Sequence, residues 1–541
     1  MIDRNSDIPC RLCLQQIQIH ARTNQLIKNV LKSWIMLVSI VLLLAGCTDS
    51  PTRNIRSVTQ TFQDYERTTV GNQVVGMELK HPHESGFTII RYSRPAFTSR
   101  IVLTDLAEKS IDLQYYIWEA DVTGWILAER LIRAADRGVR VRILVDDINL
   151  SGRDESVASM DAHPNIEIRV FNPFARRKAR FLDFLIDMDR VNHRMHNKVM
   201  VIDNAVAIVG GRNIGNHYFG VDTQANFRDL DIAAVGPAVR EISTMYDTFW
   251  NGDWSVPIAE LVDRPYTDRD LQEAMETVRE MISENDFPYS LERDVSDLKT
   301  ELMSLFNDLI WAPGRIIWDD PAAIYDENKS GSIDMSFHNK LETLQKELLI
   351  ESAYFVSREG GVKAVEQLNN RGVRIRVLTN SLVSNDVLAA HAGYAKRRVE
   401  LVKSGIELYE LRPDAGGHKR SGKQSVISVD SKAALHTKAI VFDRESVFVG
   451  SFNLDPRSAN INTEAGLYVE SQELAEQVIA YLDEGVKPLN SYRVSLDEKG
   501  DLVWITQNAG KEVRYIKDPN SDLWQRLISG FIKMLPVEGQ L

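Results

Sequence analysis

The chain has 541 residues, 44% of them hydrophobic and 26% charged, a composition that excludes a disordered or fibrous protein. Its 76 acidic and 64 basic residues give a net charge of −12, where a general nucleic-acid binder carries a basic excess. The three cysteines, Cys10, Cys13 and Cys47, exclude a disulfide framework or a Cys-rich zinc site in a chain this long.

Residues 34–46 form an apolar run too short to span a bilayer, which takes about 20 helical residues. Lys28 and Lys32 precede it, as in a signal peptide. It ends in Leu44-Ala45-Gly46-Cys47, which resembles the bacterial lipobox and implies cleavage before Cys47 and acylation of that residue. Residues 1–46 are therefore read as a lipoprotein-type signal peptide, with the translation start expected near Leu26, and 47–85 as a tether. Cleavage removes five basic and two acidic residues and takes the charge from −12 to −15. The expected location is the bacterial envelope, lipid-anchored and facing the periplasm. Thr48 in place of an aspartate leans towards the outer membrane.

Beyond the tether the chain repeats itself. Arg137-Gly-Val-Arg-Val-Arg-Ile-Leu-Val-Asp-Asp147 matches Arg371-Gly-Val-Arg-Ile-Arg-Val-Leu-Thr-Asn-Ser381. Each copy follows an amphipathic helical pattern (Leu127, Leu131, Ile132, Ala135; Val362, Val365, Leu368) that ends at Arg-Gly, where glycine supplies the left-handed cap. Strands are expected before each helix, over 110–118 and 347–355, and after it, so each half opens strand–helix–strand. The halves are placed at 86–263 and 333–541. A connector over 264–332 is helical at first, irregular around Trp311–Pro313, and has a turn at Lys329-Ser-Gly-Ser332.

A second matched pair carries the chemistry. His196-Asn-Lys198 runs through Val199–Ile202 to Asp203, then Gly210-Gly211-Arg-Asn213. His436-Thr-Lys438 runs through Ala439–Phe442 to Asp443, then Gly450-Ser451-Phe-Asn453. On a strand, His-x-Lys puts both side chains on one face. Asp203 and Asp443 begin turns, and the small residues at 210–211 and 450–451 are expected to let backbone approach a ligand. Brought together, the halves supply two imidazoles, two ammonium groups and two amides. Lysine and asparagine neutralise and hold phosphate oxygens. One imidazole can attack phosphorus while the other protonates the departing oxygen, then deprotonates the incoming alcohol. This is phosphoryl-transfer chemistry with no metal and no cofactor. His81 and His83 read as surface residues.

These paired motifs, with the whole-length repeat, resemble the phospholipase D superfamily, and within it most closely the bacterial cardiolipin synthases. Supporting segments are Tyr115-Tyr-Ile-Trp118, Gly210–Gly215 with Tyr218-Phe219-Gly220, Asn380-Ser-Leu382, Asn453–Ser458 and Leu535-Pro-Val-Glu538. The resemblance implies an α/β fold: two tandem phospholipase D-like α/β/α domains related by a pseudo-two-fold, with one shared active site. It implies His196 as nucleophile and His436 as general acid/base, with the exchange of roles left open. Lys198, Lys438, Asn213 and Asn453 would bind the phosphate. An acid further along each half would orient that half's histidine: Asp229, with Asp231 as competitor, and Glu464. Asp203 and Asp443 would brace loops. The implied reaction is transphosphatidylation, from phosphatidylethanolamine or phosphatidylglycerol to the head-group hydroxyl of phosphatidylglycerol, giving cardiolipin. Hydrolysis to phosphatidic acid is the alternative. Implied partners are phospholipids and a membrane surface, with no nucleic acid; an activating protein stays open.

Two further segments are singled out. Phe171–Phe184 interleaves bases and aromatics (Phe174, Arg176, Arg177, Lys178, Arg180, Phe181), fitting an anionic lipid surface or a solvated helix equally. Trp524, Leu527, Ile528, Phe531, Ile532 and Leu535 recur at helical spacing and are expected to cap a core, an interfacial helix being the alternative. The glycine-rich stretch 413–422 reads as a lid or a solvated loop.

Overall fold

The structure is a computed structural model that describes Lys32 and residues 57–290, 295–322, 332–416 and 431–533. Cys47, the apolar leader, the turn at 329–331, most of 413–422 and Leu535–Glu538 lie outside the described residues. The chain divides into two compact units. One comprises Asn54–Phe174 and Asp189–Leu541; the other comprises Met1–Arg53 and Ala175–Met188, a segment inside the expected first domain. In the smaller unit the helix Arg180–Ile186 leaves Phe181, Leu185 and Ile186 exposed, and Arg176 bonds the buried Asp183 at 2.7 Å.

The larger unit holds both repeats. In chain order its first ten strands are β1 (Ser85–Ile90), β2 (Ser110–Tyr115), β3 (Arg140–Asp146), β4 (Ile166–Phe171), β5 (Lys198–Ile202), β6 (Val206–Gly210), β7 (Ala225–Arg228), β8 (Asp231–Val235), β9 (Ser255–Pro257) and β10 (Ile310–Ala312). The next six are β11 (Gly314–Trp318), β12 (Glu347–Ser352), β13 (Arg374–Asn380), β14 (Glu407–Leu411), β15 (Lys432–Leu435) and β16 (Lys438–Phe442). The last five are β17 (Ser446–Gly450), β18 (Ala465–Val469), β19 (Ser491–Leu496), β20 (Leu502–Asn508) and β21 (Lys511–Tyr515).

Nine strands form one sheet in the order β10-β1-β8-β6-β5-β2-β3-β4-β9, and ten form the other in the order β11-β18-β17-β16-β12-β13-β14-β19-β20-β21. From β1 to β9 and from β11 to β19 the two orders are the same. β2, β3 and β4 run parallel, as do β12, β13 and β14, while β5 and β16 pair antiparallel to β2 and β12. The repeat is thus a duplicated mixed sheet. The helices Val122–Asp136 and Glu359–Asn370 make the crossovers and end at Gly138 and Gly372, both with positive φ.

Strand alternation decides which face packs where. Val199, Val201, Ala207 and Val209 share one apolar cluster with Ala439, Val441, Val447 and Val449, while Met200, Ile202, Ile440 and Phe442 face their own half's outer layer. The helices Pro237–Asn251 and Gln472–Gly485 complete the shared core. Each Val or Leu buried there is worth about 1.5–3 kcal/mol, so this core holds the halves together.

Two boundaries and one packing role differ from expectation. The expected connector is not outside the sheets: Ile310–Ala312 is an edge strand of the first, Pro313 follows, and Gly314–Trp318 opens the second. The short runs Ile310-Trp-Ala and Ile316-Ile-Trp were too brief to read as strands, but both pair along edges. The helix expected early in the connector is present at Asp268–Glu284. Residues 57–85 are docked, not a loose tether. Arg142 bonds the Thr59 carbonyl and Thr61, Asp247 accepts from the Thr61 N–H, and Val70 and Val74 are buried. The helix Leu523–Ile532 does not cap a core: Trp524 is 73%, Leu527 54% and Phe531 59% exposed.

Candidate active site

The two motif strands β5 and β16 begin at the lysines, so each histidine stands in the loop just before its strand. That loop is held by the opposite half. The His196 N–H donates to the Thr463 carbonyl at 2.8 Å, and the His436 N–H donates to the Arg228 carbonyl at 2.9 Å. Beside the second contact, β7 and β15 pair in parallel as a two-stranded ribbon between the halves.

The side chains cross in the same way. His196 Nδ1 bonds Glu464 at 2.8 Å, and His436 Nδ1 bonds Asp229 at 2.7 Å. Each acid therefore orients the other half's histidine, a correction to the expectation that it serves its own. With Nδ1 donating to a carboxylate, each imidazole keeps its Nε2 lone pair for a ligand. The competitor Asp231 takes no part: it pairs with Arg100 and Arg212 at 3.1 and 3.2 Å.

Gly211 and Ser451 make room for these acids, while Gly210 and Gly450 let the neighbouring strand backbone pack close. A Cβ on Gly211 would stand 2.1 Å from Asp229 Oδ1, and one on Gly450 would stand 2.4 Å from the Ala465 carbonyl oxygen. Ser451, at the place of Gly211, donates to Glu464 at 2.5 Å.

Lys198 and Lys438 are both buried, and each Nζ donates back to the carbonyl of its own histidine, His196 or His436. Burial lowers both ammonium pKa values, and Lys438, within electrostatic reach, depresses Lys198 further. Burial, then Lys198 and Lys438, push His196 well below its ordinary value. Burial and Lys438 push His436 down to about 4, outweighing the Asp229 carboxylate. The acids part company. Burial raises Glu464 to about 7, whereas at Asp229 the effect of burial is overcome by His436, Lys438 and Arg212, which hold it at about 2.

The two asparagines are not equivalent. Asn213 accepts from the Ile117 N–H at 3.1 Å and donates to the Tyr218 hydroxyl at 2.9 Å, so its amide is bound into the fold. Asn453 is buried, and its Oδ1 has no partner among the described residues. Asp203 and Asp443 lie away from the imidazoles. Each accepts three backbone N–H groups, from Glu108, Lys109 and Ser110 or from Gln345, Lys346 and Glu347. Each sits at positive φ in its turn, a conformation Asp tolerates.

Several contributors lie outside the paired motifs, some of them in the segments that support the resemblance. Tyr116 stands edge-on to His196 at 4.8 Å, and Tyr218 and Phe227 enclose His436 at 5.1 and 5.0 Å. Asp146 accepts from the Met195 N–H at 2.8 Å. Asn380, at the matching end of β13, brackets Leu435 with two 2.8 Å bonds. Both fix the residue just before a histidine. Their signal was present, since both end the matched Arg-Gly-Val-Arg strands.

Against known proteins, the family model described as "Cardiolipin synthase, PLD-like domain" matches this chain twice, over residues 101–250 and 338–485. Cardiolipin synthase C of Escherichia coli K12 is 36% identical over 87% of this chain and 99% of its own length. An uncharacterized protein of Helicobacter pylori J99 is 30% identical over 87% of this chain and 92% of its own. Among solved structures, the phosphatidylserine synthase of Haemophilus influenzae aligns with a TM-score of 0.56 at 15% identity. It covers 87% of this chain and all of that one, and shares the fold.

Proposed function

We propose that this chain, which belongs to the cardiolipin synthase, PLD-like domain family, makes cardiolipin by moving a phosphatidyl group onto the head-group hydroxyl of phosphatidylglycerol. The observation that carries the chemistry is the pair of imidazoles, each tied at Nδ1 to an acid of the opposite half. In step one, Nε2 of one histidine attacks phosphorus, the P–O bond to the donor head group breaks, and the departing oxygen takes a proton from the second histidine. In step two, that histidine removes the proton of the acceptor hydroxyl, whose oxygen displaces the first imidazole. Lys198, Lys438 and Asn453 face the developing charge on the phosphate oxygens.

His196 as nucleophile and His436 as acid/base is the assignment the resemblance implies. A second reading exchanges them, and the proton content of the two pairs favours it. Glu464 holds a proton up to about pH 7, beside His196, while Asp229 leaves the His436 pair without one. The proton for the leaving group then sits on the His196 side. Quenching a turnover with labelled phospholipid and sequencing the phosphohistidine peptide separates the two.

The donor is phosphatidylethanolamine or phosphatidylglycerol. Mass spectrometry of products, with phosphatidylglycerol alone and with both lipids, gives cardiolipin plus glycerol or ethanolamine under this reading. Phosphatidic acid alone would make the chain a hydrolase. His196→Ala and His436→Ala each lower turnover by orders of magnitude; near-normal turnover in either refutes that residue's role.

The exposed apolar face of Leu523–Ile532 supports contact with a membrane surface. Attachment through an acylated Cys47 in the periplasm is read from the lipobox alone. The mature N-terminus by mass spectrometry is then a diacylglyceryl-cysteine at 47, and Cys47→Ala moves the protein into the soluble fraction or leaves it uncleaved.

A further inference from the structure

The second half contains a cavity of about 360 Å³ between its sheet and the helices Ser332–Thr343 and Glu359–Asn370. Its sheet wall comes from alternation. Leu348 and Ile350 of β12 pair with Phe442 and Ile440 of β16, and these four line the cavity, while Leu349 and Val441 between them turn to the core shared with the first half. The helical wall includes Ala364, Val365 and Leu368.

The cavity is polarised along its length. Its five polar lining residues are Asp334, Ser357, Arg358, Asp455 and Asn460. They stand where β12 has just ended, where the helices Ser332–Thr343 and Glu359–Asn370 begin, and where the chain leaves Asn453. Leu341, Leu368, Ile406 and Phe442, at the other end, are all apolar. The strand path from Leu348 to Phe355 measures on the order of 20 Å.

The polar end joins the catalytic machinery. Phe355 bridges Leu454, and the Val356 N–H donates to the Leu454 carbonyl at 2.8 Å. Leu454 and Asp455 directly follow Asn453, and Asp455 lies within electrostatic reach of Lys438. A slot with a polar mouth beside the phosphate-binding lysine, an apolar body and the reach of one strand matches one molecular class. Its polar head would remain at the mouth and its hydrocarbon tail would run down the sheet. Ligand pockets of about 300–1,000 Å³ with few polar groups are the usual size for such a site.

We propose that this cavity receives one fatty-acyl chain of a phospholipid substrate, with the glycerol end at Asp455 and the tail against Ile350, Ile440 and Phe442. The proposal rests on the phospholipid reading above. Its role is to let one chain leave the lipid layer while the phosphorus reaches the histidines, and hydrocarbon contacts offset the cost of that extraction.

The test uses the full chain in detergent. Cis-parinaric acid, a fluorescent long-chain fatty acid, binds saturably to the wild type. Ala364→Trp, which fills the slot from the helix, weakens that binding by about tenfold or more. In the same variant, KM for dioleoyl phosphatidylglycerol rises by about tenfold while turnover of dihexanoyl phosphatidylglycerol stays within about twofold. Ala459→Leu, which narrows the mouth, carries the same test if Ala364→Trp fails to fold. Unchanged parinaric acid binding in folded variants, or equal loss on both substrates, overturns the proposal. Probe binding that the variants abolish, in a protein making no cardiolipin, leaves the cavity standing and sinks the phosphatidyl-transfer reading. Cardiolipin synthesis with no probe binding does the reverse.

Discussion

At the scale of single residues, the site is built from two unlike halves of one design. Asp229 bonds the next backbone N–H, from Leu230, at 2.8 Å, and Arg212 lies within electrostatic reach. Glu464 is fully buried and takes a hydroxyl from Ser451. The difference fixes a pH dependence. Burial raises Glu464 above its ordinary value, so it is protonated below about 7 and ionised above. With His196 as nucleophile, the ionised form, which accepts the Nδ1–H at full strength, is the active one and turnover rises with pH through about 7; with the roles exchanged, the protonated pair supplies the leaving group and turnover falls through the same pH. Both imidazoles are held below their ordinary value, so neither adds a second limb above pH 7. Glu464→Gln removes the limb near pH 7 and lowers the plateau by about 10²–10³-fold, within the usual weight of acid–base machinery. A pH–rate profile of wild type and variant reads both; an unchanged limb in the variant refutes the assignment.

At the scale of elements, the sequence and structure disagree most where packing, not pattern, decides. The C-terminal segment has the spacing of a helix, and Leu523–Ile532 is one, with a capping box between Asp522 and Gln525. Spacing says that one face is apolar; it does not say what covers that face. Lys533 lies half-buried by Arg398 and Asp518 at the helix end, so the polar side faces the fold, and the apolar side is left outward. Replacing Trp524, Leu527 and Phe531 together by serine therefore leaves the thermal midpoint within a few degrees. Co-sedimentation with phosphatidylglycerol vesicles falls several-fold, because about 25 cal/mol per Å² of apolar contact is lost at the lipid. A collapse of the thermal midpoint would restore the core-capping role. The strands at Ile310–Ala312 and Gly314–Trp318 make the complementary point. They are too short for periodicity to find, and they exist because a sheet edge offers each a partner.

At the scale of the whole molecule, the active site is a property of the duplicated pair. His196 depends on Glu464 and the Thr463 carbonyl, and His436 depends on Asp229 and the Arg228 carbonyl. Neither half holds a complete imidazole–acid pair, so neither is expected to turn over alone. Both pairs are closed within one chain. Mixing the His196→Ala and His436→Ala proteins is accordingly expected to leave activity at the level of either alone. Restored turnover on mixing would mean that histidines from two chains meet at one phosphate.

The sequence alone determined the duplication, the motif residues and the kind of chemistry, because these follow from residue type and from spacing along the chain. His-x-Lys repeated with its Asp and Asn is visible without a fold, and so is the need for a second copy. Only the tertiary structure decided which acid serves which histidine, why Gly211 and Ser451 differ, and where the outward apolar face of the last helix lies. Those depend on which surfaces the shared core of Val199, Val201, Ala439 and Val441 brings into register. Contacts across that core join residues more than 200 positions apart, such as His436 and Asp229, and local pattern carries no record of them.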